Sequence, residues 1–251
     1  LYVDEKGLVY AEKENTPLTW MDAVLFDKPV TQRPGYAVEV NALWYNAVAF
    51  VMNLATKNKD VQFVIGWNPV QRTIDSAFIE KFTHPERALI CDYVAKDHCS
   101  WDVRPNMLFA ASLPYSPLNN EQKKKILDVV KQELLTPRGI RTLSPKNAFY
   151  KSVYEGNIEA RDSAYHQGTA WPWLLGAYAE AYLKIHGKSG LAEIKKLVNG
   201  FEEEMKLHGL GSISELYNGD PPHHGKGAIS QAWSVAEMRR IIWLIEKTEK
   251  E

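Results

Sequence analysis

Cysteine is scarce in this chain, with Cys91 and Cys99 the only two in 251 residues. Two thiols this far apart form neither a disulfide framework nor the close pairs of a structural zinc site, so buried reduced thiols are expected. Long apolar runs are missing too. The longest, Ala42 to Leu54, is broken by Asn46 and Asn53 and is too short to cross a bilayer, so no membrane is expected as a partner. No excess of positive charge exists either: 30 Lys and Arg face 31 Asp and Glu, for a formal net charge of −1. That balance excludes the basic footprint of a nucleic-acid-binding surface. There is no glycine-rich phosphate loop and no Gly-x-Ser-x-Gly elbow, which argues against nucleotide and serine-hydrolase chemistry. The adjacent His223 and His224 point apart and have no ligand at helical spacing, so neither a metal nor a cofactor is expected. Repeats, low-complexity tracts and Gly/Ser linkers are absent, and residues 1–251 read as one domain. The chain start lacks the charged-then-apolar order of a signal peptide, which points to the cytoplasm.

What is present is a globular composition, 45% hydrophobic and 24% charged, long enough for a large core. Apolar residues recur at helical spacing over residues 36–56, through Val40, Leu43, Trp44, Ala47, Val48, Val51 and Leu54. A second helix is expected over 121–135. A third is expected over 171–186, capped by Thr169, with Pro172 in its first turn and Gly187 at its end. Helices are also expected over 68–81, 104–111, 189–207 and 229–247, making about seven with few credible strands, hence an all-α fold. The connections 112–120, 136–169 and 209–228 are long and rich in Pro, Gly, Ser, Tyr and His. Loops of that length in a compact domain are functional or disordered, and their aromatic content argues against disorder.

Two carboxylates stand among aromatic residues. Glu215 lies in the punctuated loop Gly211–Asp220, and Asp22 lies in Leu18–Ala23 beside Trp20 and Met21. Glycoside hydrolysis uses such a pair: one acid protonates the leaving oxygen while the other activates water or attacks the sugar. An apolar setting favours the protonated form of Asp22 and suits it to the acid role. From spacing alone, an Asp before Ala is more often a helix cap or turn residue. Eight tryptophans and twelve tyrosines exceed the needs of a core this size, and ring faces stack on pyranose faces. Trp173 and Trp243 fit helical core positions. Trp20, Trp171, Trp233 and Tyr217 abut loops or helix ends and fit platforms, and His166 and Gln167 can bond hydroxyls. Arg33, Glu39 and Asn41 sit around the opening of the first helix, where capping or ion pairing fits them as well.

Five segments together, LTWMDA (Leu18–Ala23), VEVNALWYN (Val38–Asn46), YHQGTAWPW (Tyr165–Trp173), SISELY (Ser212–Tyr217) and AISQAWSVAE (Ala228–Glu237), resemble the C-terminal glucosidase domain of glycogen debranching enzymes of the bacterial and archaeal type. The resemblance spans nearly the whole chain. It implies an (α/α)6 barrel that hydrolyses α-1,6-linked glucose at branch points with inversion, its partner an α-glucan such as glycogen, limit dextrin or a branched maltooligosaccharide. By motif, Asp22 would be the general acid and Glu215 the general base, with Trp20, Glu39, Trp44, His166, Gln167, Trp171 and Trp233 shaping the glucose pocket. Arg33 falls in TQRPG, which departs from the family's order there. A glucoamylase-like or trehalase-like enzyme of the same barrel type, and a non-catalytic glycan-binding module, are the alternatives. Retention of both carboxylates disfavours the module. Because fewer helices are expected than such a barrel holds and Asp22 arrives almost at once, the chain reads as a C-terminal fragment of an incomplete barrel, weakly active alone and prone to self-association.

Overall fold

The computed structural model describes residues 1–84, 86–87, 89–96 and 98–251. Its helices are α1 (Val38–Lys57), α2 (Val61–Phe82), α3 (Met107–Ser112), α4 (Asn120–Val129), α5 (Ile158–Ala164), α6 (Leu174–His186), α7 (Leu191–Asn199), α8 (Phe201–Leu207) and α9 (Ala232–Lys250). Local chemistry sets several of their ends. Asp60 caps α2 by accepting from the Phe63 N–H at 3.1 Å, and Asn119 and Gln122 form a reciprocal capping box at the start of α4. Helices α1, α3, α6 and α9 pack side by side in that order, while α2 packs on α1, α4 on α3 and α6, and α7 on α9. The core lies among these helices, with Tyr178, Phe78, Phe82, Ile126 and Leu108 fully buried. No described helix is long and apolar enough to cross a membrane.

The expectation of an all-α chain needs correction, because short strands form four sheets among the described residues. The largest is antiparallel, in the order 225–226, 216–217, 170–171, 139–141 and 135–136, with Ala170 opposite both Tyr217 and Arg141. A three-stranded sheet of 36–37, 93–95 and 98–100 ties the start of α1 to the segment carrying Asp92. Two small hairpins pair 2–3 with 9–10 and 24–25 with 28–29.

Several helix boundaries shift for identifiable reasons. The helix expected from Trp171 begins at Leu174, because Ala170–Trp171 is a sheet strand. Thr169 does not cap it: its hydroxyl donates to the Tyr165 carbonyl at 2.6 Å and accepts from the Trp171 indole at 3.0 Å. The helix expected over 189–207 breaks at Gly200 into α7 and α8, and the one over 121–135 ends in a π-helical turn, Val130–Leu134. The loop expected over 136–169 contains both a strand and α5, whose N-cap Asn157 accepts from the Ala160 N–H at 2.9 Å.

Candidate active site

Glu215 immediately precedes strand 216–217, so the sheet fixes its backbone. Its N–H donates to the Ala228 carbonyl at 2.9 Å, and the Ala228 N–H donates to Glu215 Oε2 at 2.8 Å. The Tyr165 hydroxyl donates to Glu215 Oε1. Each carboxylate oxygen thus accepts one hydrogen bond, leaving lone pairs to take a proton from water. Gly227 makes this fit possible: at φ +70° it has the left-handed backbone glycine favours, and a Cβ there would lie 2.3 Å from Glu215 Oε2.

Asp22 is solvent-exposed, whereas Met21 beside it is fully buried, so the apolar surroundings gather on the methionine. Tyr165 is bonded to Glu215 alone of the two acids. Burial pushes its hydroxyl above the ordinary tyrosine range, its hydrogen bond to Glu215 and the Glu215 charge push it further, and the nearby Tyr154 and Asp22 add to the same effect.

Around this point the aromatic side chains form one cluster. His166 stacks on Trp171 with ring centroids 5.4 Å apart, and Trp20 meets His166, Trp171 and Trp173 edge-on at 5.2, 5.8 and 5.1 Å. Trp173 in turn stacks on Trp233 at 4.8 Å. Trp171 is 1% exposed and lies behind the others, while Trp233 at 36% and the half-buried Trp20 keep open ring surface. Trp173, expected in the core, belongs to this cluster, and Trp243, also expected there, is 56% exposed.

A buried polar network holds the cluster from below. Arg33 donates to Glu39 Oε2 at 2.6 Å and to Asp92 Oδ2 at 2.7 Å. Asp92 Oδ1 accepts from Asn106 at 2.7 Å, and Asn106 Oδ1 accepts from the Trp20 indole at 2.7 Å, which sets the tilt of that ring. Arg104 donates to the His166 carbonyl at 2.9 Å and to Gln167 Oε1 at 3.0 Å, while the Gln167 amide donates to the Thr31 hydroxyl at 3.1 Å. Burial opposes the charge of Arg33, but Asp92 and Glu39 outweigh it and its pKa rises. For Arg104 burial prevails over Asp92 and Asp102, and its pKa falls. Two cations facing two buried carboxylates, each well hydrogen-bonded, is the arrangement in which removal of one partner costs most, about 3–5 kcal/mol.

Of the residues singled out in the sequence, the structure brings Trp20, His166, Gln167, Trp171 and Trp233 to one cluster with Glu215. Arg33 and Glu39 lie in the network beneath it. Trp44 lies elsewhere, its indole donating to the Gly7 carbonyl at 2.9 Å beside a small apolar cavity shared with Phe63 and Trp67. Tyr217 is fully buried on its strand and meets Phe201 edge-on at 6.1 Å. Sequence reasoning passed over Tyr165, Asp92, Arg104 and Asn106. Tyr165 carried a signal, opening the YHQGTAWPW segment next to His166, whereas the other three are scattered polar residues in a stretch without a motif.

The amylo-alpha-1,6-glucosidase family model matches residues 1–240. The chain belongs to that family. Membership places it among the glycoside hydrolases by family. Among curated proteins it is similar to the glycogen debranching enzyme of Saccharomyces cerevisiae, 26% identical over 94% of this chain and 19% of that one. Among solved structures it is similar to a GH63 mannosylglycerate hydrolase from Thermus thermophilus in complex with glucose (12% identity, TM-score 0.59), over 83% of this chain and 48% of that one. It is also similar to an uncharacterized conserved protein from the same organism (13% identity, TM-score 0.58), over 83% of this chain and 46% of that one. The chain therefore spans about a fifth of the curated relative and just under half of these solved neighbours. At such identities the likeness to solved structures is one of fold, the (α/α)6 glycosidase type, here with β-sheets among the helices.

Proposed function

We propose that this chain supplies the catalytic residues of an inverting glycoside hydrolase that releases glucose from α-1,6 branch points of glycogen or limit dextrin. The observation that carries the reading is the setting of Glu215, a carboxylate hydrogen-bonded on both oxygens beside a tryptophan-rich cluster. In this reading Glu215 takes a proton from a water that attacks the anomeric carbon, while Asp22 gives its proton to the departing glycosidic oxygen. Inversion requires the two carboxyl groups to stand about 6.5–9.5 Å apart across the sugar, leaving room for that water. Trp233 and Trp20 offer their open ring surfaces to the glucose. His166 and Gln167 fix the floor, with Arg33 and Glu39 supporting it. No cofactor enters the chemistry. We further propose that the isolated chain self-associates through the exposed apolar face of α1, where Leu43, Phe50, Val51 and Leu54 share one side.

The test compares Asp22→Asn and Glu215→Gln in the full-length protein on limit dextrin and on α-glucosyl fluoride, with maltotriose and trehalose as competing substrates. Both variants are expected to lose about 10²–10⁴-fold in kcat on limit dextrin, as for removal of a general acid or base. Fluoride leaves without protonation, so it should rescue Asp22→Asn and not Glu215→Gln. Equal rescue of both would contradict the assignment of roles, and a wild-type preference for maltotriose or trehalose would contradict the substrate.

A further inference from the structure

The hairpin that follows Asp22 presents an aromatic ring from a backbone conformation that does not suit it. Val24–Leu25 pairs with Lys28–Pro29, leaving Phe26 and Asp27 as the two turn residues, and both have positive φ, 51° and 57°. Turns of this kind favour Asn-Gly or Asp-Gly, because at positive φ a Cβ crowds the neighbouring carbonyl. Aspartate tolerates the conformation, whereas for a bulky side chain it is an outlier. Burial does not compensate Phe26, whose surface is 78% exposed. A strained position persists where the surrounding structure over-determines it, and such positions cluster at ligand clamps and active sites.

The hairpin is anchored to the wall of the site. The Val30 N–H donates to the Ala23 carbonyl at 2.9 Å across its base, and the Gln167 amide donates to Thr31 at 3.1 Å and to the Val30 carbonyl at 3.4 Å. Strand 24–25 packs against α5, whose last turn runs into Tyr165. The hairpin therefore starts two residues after Asp22, and its base is tied to Gln167 of the site and to the helix that leads into Tyr165. A general acid stands at the glycosidic oxygen on the side of the leaving group, so a ring on the hairpin that directly follows it is placed to meet the departing chain and not the glucose being released. That departing chain is a neutral glucan whose pyranose faces are apolar, and an uncharged aromatic face is their match.

We infer that Phe26 is a stacking platform for the leaving-group glucan chain and a determinant of specificity for polymeric substrates. The inference rests on the proposed acid role of Asp22. It is tested in the full-length protein with Phe26→Asn, which accepts positive φ and removes the ring, and Phe26→Trp, which keeps a ring. For Phe26→Asn the KM on limit dextrin should rise roughly tenfold. Its kcat/KM on α-glucosyl fluoride, which has no leaving sugar, should stay within about twofold of wild type. Its melting temperature should equal or exceed that of wild type, since strain is relieved. Phe26→Trp should keep the wild-type KM on limit dextrin. Unchanged limit-dextrin kinetics in Phe26→Asn, or equal losses on both substrates, overturns the inference while the glucosidase reading stands. A wild-type protein that turns over neither substrate overturns both.

Discussion

Buried against the rings of Trp20 and Trp171, His166 has its pKa pushed down to about 3, first by burial and then by the charge of Arg104. In the unfolded chain an imidazole titrates near 6.5, so between about pH 6.5 and 3 the unfolded state binds more protons than the native one. The stability this histidine contributes is present above that window and is lost as the pH falls through it, with a slope of at most about 1.4 kcal/mol per pH unit. Urea unfolding at about pH 7, 5 and 4 checks this: the loss on acidification should be shallower in His166→Gln than in wild type. Equal slopes would place the acid sensitivity elsewhere. The same histidine shows what a motif can and cannot deliver at this scale. Its neighbourhood was legible because rings and an amide sit in one short segment. Its support by the Arg104 guanidinium, which donates to the His166 carbonyl from 62 residues away, leaves no trace in local spacing.

Among the elements, long amphipathic helices were readable wherever the apolar period was sustained, as in α1 and α9, whose expected spans 36–56 and 229–247 lie close to the observed Val38–Lys57 and Ala232–Lys250. The strands were not. Each is two or three residues long, too short for an alternating pattern, and their pairing is decided by partners far away, such as Ala170 with Tyr217. Trp171 shows the cost: Pro172 signals a helix start, yet the sheet captures the residue before it. Glycines separate these two kinds of element in a measurable way. Gly168 has φ +144° in the loop under the site, where a Cβ would lie 2.6 Å from the Tyr150 ring and 2.7 Å from the Lys151 carbonyl oxygen. Gly168→Ala should therefore lose stability on the order of 2 kcal/mol through overpacking and strain. Gly66, inside α2, has nothing within 4 Å of that position, so Gly66→Ala should gain roughly 0.5–1 kcal/mol. Chemical denaturation of the two variants decides the matter, and a destabilised Gly66→Ala would show that α2 is not limited by helix propensity.

At the level of the whole molecule helices α1, α3, α6 and α9 form a row with α1 and α9 at its ends. The face of α1 carrying Phe50, 49% exposed, and the neighbouring α2 carrying Ile65, 64% exposed, leave apolar side chains in water at one end. Sedimentation of the isolated chain should show reversible, concentration-dependent association, which Phe50→Lys combined with Ile65→Lys shifts toward monomer without a change in helix content. A wild-type chain that stays monomeric as concentration rises would refute the association. The row also has a temporal consequence. Helices α1 and α2 follow one another along the chain and meet early, whereas the site is closed by bonds from Trp20 to Asn106 and from Thr31 to Gln167, spanning 86 and 136 residues. Contacts at such separation form late, because the entropy of closing the loop precedes any reward from the bond. In a chain refolding from denaturant the far-ultraviolet dichroism should therefore return ahead of the fluorescence of the clustered indoles, which stopped-flow measurement of the two signals checks.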